Sequence, residues 1–246
     1  MEKVDRLGWV DGFAFSPHGV RIGIRTNDRG CLDELERIVK ARQWQLSDEE
    51  EVQILFSLRV APPARPGRRN FHLLYLGASR LVRNLELREV VSYLERHLPE
   101  IVMATARDAV FVHGAIVASK GRTLVLPGQP GSGVDKLVAR LRERGAQILA
   151  EDYFTVTPDG QLCLKTCEAE TPLILFTEYS PGRKRIQTKD LTPGDSSIQL
   201  FASGLSCRTR PQLALGALAN FAARSETLQG QWGNDGQAAE WILGDV

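Results

Sequence analysis

The sequence lacks the features that mark several large classes of protein. No apolar run among its 246 residues approaches the roughly 18 residues of a membrane-spanning helix. The N-terminal MEKVDRLGWVDG has no apolar stretch typical of a signal peptide. The formal net charge is only +1, so the chain as a whole has no attraction to nucleic acid or acidic membranes. We therefore expect a cytoplasmic protein with neither a nucleic-acid partner nor a membrane partner.

Cysteine is also scarce. The four cysteines, Cys31, Cys163, Cys167 and Cys207, are too few and too irregularly spaced for a disulfide framework. Cys163 and Cys167 lie four residues apart in QLCLKTC, on a predicted strand where they would share one face. No histidine lies beside them, and a tetrahedral zinc site would need two further ligands from elsewhere. We interpret the pair as small, half-buried side chains rather than as metal ligands.

The two halves of the chain differ in pattern. Residues 1–105 alternate strand-like runs with two amphipathic helices, one from Leu32 to Arg42 and one from Glu86 onward, in which Pro99 predicts a kink or a restart. This half predicts a small α/β domain. Residues 106–246 predict a second, larger α/β domain that carries the motifs described below.

Parts of the chain outside those motifs give weaker signals. Residues 161–201 predict further short strands, and residues 213–225 predict a strongly apolar helix packed on a sheet. Two basic segments predict solvated loops, and the second could also meet an anionic substrate. Their basic residues are Arg65, Arg68 and Arg69, and Arg183, Lys184 and Arg185.

Residues 110–156 carry the most information. The pattern predicts strands at 110–118 and 122–127, a glycine-rich loop, a helix from about Gly133 to Arg144, and a strand pair in QILAEDYFTV. In this order a loop of closely spaced glycines can close its backbone N–H groups around phosphate oxygens at the N-terminus of the helix. The stretch therefore predicts a phosphate-binding loop in an α/β domain.

The two residues that follow the loop do not match the phosphate-binding motif that its glycines indicate. GQPGSG (128–133) has the required spacing, but Val134 and Asp135 stand where the motif needs Lys and then Ser or Thr. Lys136 comes two residues after Val134, about 200° further around the helix, and is predicted to point away from the phosphates. The predicted nucleotide site comprises Gly128, Gly131, Ser132, Gly133, Val134 and Asp135. It is a phosphate cradle without its phosphate lysine or its magnesium hydroxyl.

Residues 110–160 resemble the HPr kinase/phosphorylase family and its bacterial relatives. The resemblance rests on VHGAIV, then GRTLVLPGQPGSG, a helix ending in RERGA, and ILAEDYFTVTPDG. The later TPLILFTEYSPG is similar, more loosely, to the sheet extension of those relatives. The resemblance implies an α/β P-loop domain of the HPr kinase/PEP carboxykinase-like type with a mixed sheet, preceded by a smaller α/β domain. It also implies a homo-oligomer, because HPr kinases assemble as oligomers.

The same resemblance implies catalytic roles for three residues. In the family, the histidine of the His-Gly strand and an acidic pair form the catalytic constellation, here His113, Glu151 and Asp152. The first acid acts as general base on the acceptor hydroxyl. Glu151 replaces the usual Asp, which moves the carboxylate by about an ångström, and such a displacement lowers rates substantially. The implied cofactors are ATP and Mg²⁺, expected to bind weakly, with Asp135 as the candidate metal ligand.

Two functions remain open at this point. Loss of the lysine removes about 1.5–3 kcal/mol of charge-assisted hydrogen bonding, and Asp135 adds repulsion on the order of 3 kcal/mol at ~5 Å and an effective ε of ~20. These changes favour a degenerate protein that acts as a binding or regulatory partner of a protein or peptide. His113 and Asp152 instead favour an active kinase that phosphorylates a Ser/Thr hydroxyl of a protein, peptide or small molecule.

Overall fold

The computed structural model describes residues 2–49, 51–63, 69–119, 121–163, 171–183 and 187–245. They form an α/β protein that divides into two compact units, Met1–Arg107 and Asp108–Val246. Each unit is built on its own mixed sheet. Among the described helices, none combines the length and the apolar character needed to cross a bilayer. Five residues singled out in the sequence lie outside the described ranges: Arg65, Arg68, Cys167, Lys184 and Arg185.

The first unit is a six-stranded sheet with two long helices. Its elements are α1 (Glu2–Asp5), β1 (Asp11–Phe15), β2 (Ile22–Thr26), a 3-10 turn (Arg29–Cys31), α2 (Leu32–Lys40), β3 (Leu46–Ser47), β4 (Ile54–Arg59), β5 (His72–Leu76), β6 (Ser79–Asn84) and α3 (Leu87–Thr105). The sheet order is β3-β1-β2-β4-β5-β6, and β2 and β4 form its parallel pair. The apolar faces of α2 and α3 share one core with inward strand residues such as Leu58 and Leu74.

Helix α3 runs continuously through Pro99, so the predicted restart is wrong. A proline inside a helix removes the N–H that would bond to the carbonyl four residues earlier, which is the carbonyl of Glu95. Arg42 donates to that carbonyl through its Nη2 at 2.6 Å. The same guanidinium donates through Nη1 to the carbonyl of Ile38 at the end of α2. A side chain just after the end of α2 therefore satisfies the acceptor that the proline leaves free.

The second unit is a sheet covered by helices on both faces. Its elements are β7 (Val110–Ser119), β8 (Arg122–Pro127), α4 (Val134–Glu143), β9 (Gln147–Ala150), β10 (Tyr153–Val156), β11 (Leu173–Tyr179), β12 (Gln187–Asp190), α5 (Pro193–Ala202), α6 (Pro211–Ala223), β13 (Glu226–Trp232) and α7 (Asp235–Asp245). The order is β10-β7-β8-β11-β13-β12, and β9 also pairs with β7. Strands β8, β11 and β13 are parallel.

The two faces of this sheet bury different cores. Val125 of β8 packs in the core that contains α5 and α6, whereas its neighbours Leu124 and Leu126 pack in the core that contains α4 and α7. Alternate strand residues point to opposite faces, so a continuous apolar run such as TLVLP is what a strand covered on both sides requires. The sheet of the second unit is therefore the middle of three layers.

Helix α5 corrects the prediction of short strands throughout residues 161–201. Its start is well defined, because the Thr192 hydroxyl accepts from the backbone N–H of Asp195 at 3.1 Å and Pro193 occupies the first helical turn. Threonine followed three residues later by an acid, with proline first in the helix, is a helix-start signal. The strand prediction overlooked this signal in TPGD.

Candidate functional site

The carboxyl ends of the three parallel strands meet at one edge of the second sheet. Strand β8 ends at Pro127, β11 at Tyr179 and β13 at Trp232. In α/β sheets this edge is where ligands bind, because the loops that leave the strands there can surround a small molecule. A cavity of about 440 Å³ lies at the edge. It is lined by Gly131, Ser132, Gly133, Asp135, Lys136, Tyr179, Trp232, Gly233, Asn234 and Asp235.

The loop after β8 contains a tight turn. The backbone N–H of Ser132 donates to the carbonyl of Gln129 at 2.9 Å, and Gly131 has a φ of +83°. Pro130 at the second position and a glycine with positive φ at the third are the residues that a type II β-turn requires. The Gln129 side chain also donates through Nε2 to the carbonyl of Ala202 at 2.7 Å. The loop is thus held by contacts within the protein.

Side chains fill the space beside the first glycine of the loop. Val134, at the position of the motif lysine, is only 3% exposed and belongs to the core under α4. A Cβ placed on Gly128 would lie 2.5 Å from the Ser132 Oγ and 2.6 Å from the Val134 Cγ2. The Ser132 Oγ is buried and has no hydrogen-bond partner among the described residues. The residue that should reach a phosphate is therefore a core residue.

The first turn of α4 faces the cavity with charges of both signs. Gly133 precedes the helix with a φ of +94°, and no side chain caps the helix. Asp135 and Lys136 are exposed and both line the cavity. The uncapped N–H groups would attract an anion, but the Asp135 carboxylate lies among them and opposes one. Lys136 was predicted to point away from bound phosphates, yet it lines the same cavity as Asp135.

The opposite wall of the cavity, at the start of α7, is satisfied internally. The Asn234 Oδ1 accepts from the backbone N–H of Gln237 at 3.0 Å and caps the helix. The Asp235 Oδ2 accepts from the Arg140 Nε at 2.8 Å. This hydrogen bond lowers the pKa of the Asp235 carboxyl and, together with one to Glu143, raises the pKa of the Arg140 guanidinium. Asn234 and Asp235 are therefore both engaged within the protein, and among the described residues Asp135 and Lys136 are the charged side chains of the cavity for which no ion pair is seen.

A second arrangement, which we call the His113 junction, joins three of the predicted segments through the backbone. The carbonyl of His113 accepts from the N–H of Gly128 at 3.0 Å, and the N–H of Gly114 donates to the carbonyl of Asp152 at 3.1 Å. The N–H of His113 donates to the carbonyl of Ser203 at 2.9 Å, at the end of α5. The junction thus places the His-Gly strand, the start of the loop and the acidic pair side by side.

Gly114 is required for the close approach of these strands. Its φ is +145°, a conformation that residues with a Cβ rarely adopt. A Cβ at this position would overlap the carbonyl oxygen of Leu126 and lie 2.9 Å from the Cα of Pro127. Both are backbone atoms of β8, so they cannot move aside as a flexible side chain could. The glycine after His113 therefore has a structural reason that is independent of any catalytic role.

Asp152 has an unusual backbone conformation. Its φ is +70°, and the N–H of Tyr153 donates to the carbonyl of Glu151 at 2.9 Å. A bond between residues two apart around a central residue with positive φ forms the less common, strained kind of γ-turn. Strain of this kind costs about 1–3 kcal/mol and concentrates at functional sites. The turn separates β9 from β10 and leaves the side chain of Asp152 exposed.

The carboxylate predicted as general base is engaged elsewhere. The Glu151 Oε2 lies 2.5 Å from the Arg142 Nη2, in the C-terminal half of α4. Both side chains are about half exposed, at 49% and 52%. The loop is at the opposite end of the same helix, and each residue of an α-helix advances 1.5 Å along its axis. The Glu151 carboxylate is therefore paired with a cation of the helix surface.

The structure brings together only part of the predicted site. The cavity includes Gly131, Ser132, Gly133 and Asp135, but its lining does not include His113, Glu151 or Asp152. The sequence interpretation missed Tyr179, Trp232 and the start of α7. Their signal is an aromatic residue followed closely by glycine, in YSPG and WGND, which is typical of a strand end followed by a turn. The Trp232 Nε1 is buried and has no hydrogen-bond partner among the described residues.

The residues present do not fit Mg²⁺–ATP in the manner of a phosphate-binding loop. Within the part of the chain that the structure describes, no group of three or more His, Cys, Asp and Glu residues could hold a metal ion. In the first turn of α4, Asp135 offers a carboxylate in place of the motif hydroxyl, and the residue before it is a buried valine in place of the motif lysine.

Comparison of the chain with known protein families and with curated proteins gives no match.

Proposed function

We propose that the second unit is an HPr kinase-like domain that no longer transfers phosphate and that the protein is a binding or regulatory partner in a modification or regulatory pathway. The observation that carries this proposal is the burial of Val134. A lysine at its position would extend toward the phosphates, whereas the valine packs into the core and occupies the space beside Gly128. The partner proposed is a protein or a peptide, and the proposed location is the cytoplasm.

Two further features support the loss of phosphate transfer. Glu151, at the position of the general base, is paired with Arg142. Asp135 adds a negative charge at the N-terminus of α4, where a nucleotide would place its phosphates. Together with the burial of Val134, these two features affect phosphate binding, charge balance and proton removal. Phosphoryl transfer depends on all three, because it is mainly positioning and charge neutralisation.

Titration of the wild-type protein with ATP and Mg²⁺ tests the proposal. We expect calorimetry to give little heat and millimolar nucleotide to raise thermal stability by well under ~1 kcal/mol, because stabilisation follows RT ln(1 + [L]/Kd). A dissociation constant in the low micromolar range would contradict the proposal. The proposal would also be contradicted if the wild-type protein transferred the γ-phosphate to a hydroxyl and the Asp152→Asn variant did not.

A double variant tests whether the loop still has the shape of a phosphate cradle. Val134→Lys with Asp135→Ser restores both motif residues, and Asp135→Ser alone is the matched control. If the backbone still surrounds a phosphate, the double variant should bind ATP–Mg²⁺ at least about tenfold more tightly than the control, a difference of ~1.4 kcal/mol. A folded double variant without this gain would mean that the loop is now a structural turn, and the family resemblance would then describe ancestry only.

The active kinase is the second candidate, and one observation favours it. Lys136 lines the cavity beside the loop, so a cation is present two positions after Val134, which stands where the motif has its lysine. If this lysine replaced the missing one, Lys136→Gln would weaken ATP binding at least about tenfold. Arg122→Gln, an exposed charge change on the same unit, serves as the control. Failure of wild-type protein to bind ATP would remove this candidate.

A further inference from the structure

A groove on the sheet of the first unit contains four arginines. We define the arginine groove as Arg59, Arg69, Arg80 and Arg83, with Phe71 and Leu73 between them; its volume is about 290 Å³. The groove lies on the face of the sheet opposite the core. Arg59 and Leu73 each alternate along their strands with a fully buried leucine, Leu58 and Leu74 respectively, and neighbouring residues of a strand point to opposite faces.

A β-bulge places two of the arginines on the same face. Arg83 pairs with Leu73 and Arg80 pairs with Tyr75, although the arginines are three residues apart and their partners only two. The extra residue lies between Arg80 and Val82, where the register shifts. Without it, residues three apart would point to opposite faces of the sheet. Bulges commonly redirect side chains in this way at functional positions.

Among the described residues these four arginines have no acidic partner. Within the described residues none of them lies within 4.0 Å of a carboxylate, and Arg83 instead stacks over the Phe71 ring at 3.8 Å from its centroid. Eight arginines elsewhere among the described residues are instead paired with carboxylates. The paired arginines are Arg21, Arg25, Arg29, Arg37, Arg122, Arg140, Arg142 and Arg144. Converging like charges repel one another, so the groove is a place where an anion is favoured.

We propose that the arginine groove binds an acidic peptide segment in an extended conformation, lying over β5. Arg59 on β4 and Arg83 on β6 flank Leu73 in one row across three strands, about 10 Å apart because adjacent strands are separated by about 4.8 Å. A single extended chain fits between them. Its successive side chains point alternately to the two sides, so carboxylates would reach arginines on both walls.

The chemistry of the groove favours carboxylates over a nucleic acid. Its lining cations are all arginines, whose planar fork donates two parallel hydrogen bonds to a carboxylate. Single-stranded nucleic acid is usually bound by exposed aromatic rings on which bases stack. Here the aromatic ring of the groove, Phe71, is covered on one face by Arg83.

Binding of a fluorescein-labelled oligo-glutamate peptide to the full chain tests the inference, with oligo-glutamine as the neutral comparator. The variant is Arg80→Gln with Arg83→Gln. The control is Arg29→Gln with Arg37→Gln, which removes the same charge from exposed side chains of the same unit, 77% and 76% exposed. The inference concerns the first unit alone and does not depend on whether the loop of the second unit binds ATP.

We expect oligo-glutamate to bind at low salt and oligo-glutamine not to bind. The groove variant should bind oligo-glutamate at least about tenfold more weakly than wild type, since charge-assisted hydrogen bonds are lost, whereas the control should stay within about threefold. Added salt should weaken the wild-type interaction. Absence of binding, or an equal loss in both double variants, would overturn the proposal. Tighter binding of a single-stranded oligonucleotide, lost in the groove variant, would also overturn it.

Discussion

The His113 junction and the interior of the loop are adjacent, joined by the hydrogen bond from Gly128 to His113, but they place different demands on the sequence. The junction depends on backbone geometry, and at Gly114 no side chain fits. The loop interior depends only on filled volume, and a valine fills it. The residues that match the phosphate-loop motif here are therefore those that shape the backbone, whereas Val134 and Asp135, at the two positions whose side chains would contact a nucleotide, do not match it.

The largest effect should come from adding one carbon to the junction. Gly114→Ala is expected to lower the free energy of unfolding by about 2–6 kcal/mol, because a strained φ of 1–3 kcal/mol adds to overpacking of 1–3 kcal/mol. Gly216→Ala is the matched control. It lies inside α6 with no atom within 4 Å of the new Cβ, and it should stabilise by about 0.5–1 kcal/mol.

Denaturant unfolding of the Gly114→Ala and Gly216→Ala variants measures how strongly the His113 junction depends on backbone geometry. Opposite signs are expected, with the midpoint lowered for Gly114→Ala and raised for Gly216→Ala while the slope stays constant. If Gly114→Ala proved as stable as wild type, β7 and β8 would not approach as closely as the structure places them. The glycine would then need another explanation.

The loop interior should respond to the loss of a buried apolar side chain rather than to backbone geometry. Val134→Lys removes a buried apolar side chain and places an ammonium at the edge of the core, so we expect a loss of about 2–4 kcal/mol. Asp135→Ser, one residue later and exposed, should cost only a few tenths of a kcal/mol through the helix dipole. Thermal unfolding of the two variants, each without nucleotide, measures the difference. Equal effects would mean that Val134 is not part of the core.

The elements of residues 110–156 could be predicted from the sequence, whereas the contacts of their side chains could not. The order of strand, loop, helix and strand pair over residues 110–156 was predicted because each element has a local cause, such as apolar alternation in TLVLP or the glycines of the loop. The α/β class of the whole chain follows from the same patterns. These features depend on residues close together in the chain.

The site was predicted less completely because its parts are distant in sequence. Tyr179 and Trp232 reach the loop only through the parallel order of β8, β11 and β13, which no local pattern specifies. The pairing of Glu151 with Arg142 likewise depends on how α4 lies against the sheet. The arginine groove of the first unit could not be predicted either, because a bulge in β6 places Arg80 and Arg83 on one face of the sheet.

The strain at Asp152 gives a smaller test of the junction. An alanine with a φ of +70° costs roughly 1–2 kcal/mol, whereas glycine adopts this region freely. We therefore expect Asp152→Gly to be more stable than Asp152→Ala by about 1–2 kcal/mol, as measured by denaturant unfolding. Aspartate should lie between them, because its short polar side chain tolerates positive φ. Equal stability of the two variants would mean that the turn relaxes without cost.

The smallest effect should come from the thiol behind the junction. Cys207 follows the segment that pairs with β7, is only 4% exposed, and has its pKa raised to about 11 by burial. Because the folded-state pKa is above that of the unfolded chain, the thiol contributes stability that is complete below the unfolded pKa. That contribution is lost as pH rises through the folded value.

Comparison of wild type with Cys207→Ala isolates this contribution. The variant leaves a small cavity, which lowers its stability by an amount that does not depend on pH. Between pH 8 and pH 9, wild type should lose about 0.5 kcal/mol more stability than the variant, because only its unfolded chain ionises a thiol at this position over that range. Measurements at pH 7, where the thiol is protonated in both states, provide the reference. Parallel pH dependence of the two proteins would show that water reaches Cys207 and that the segment behind His113 is open.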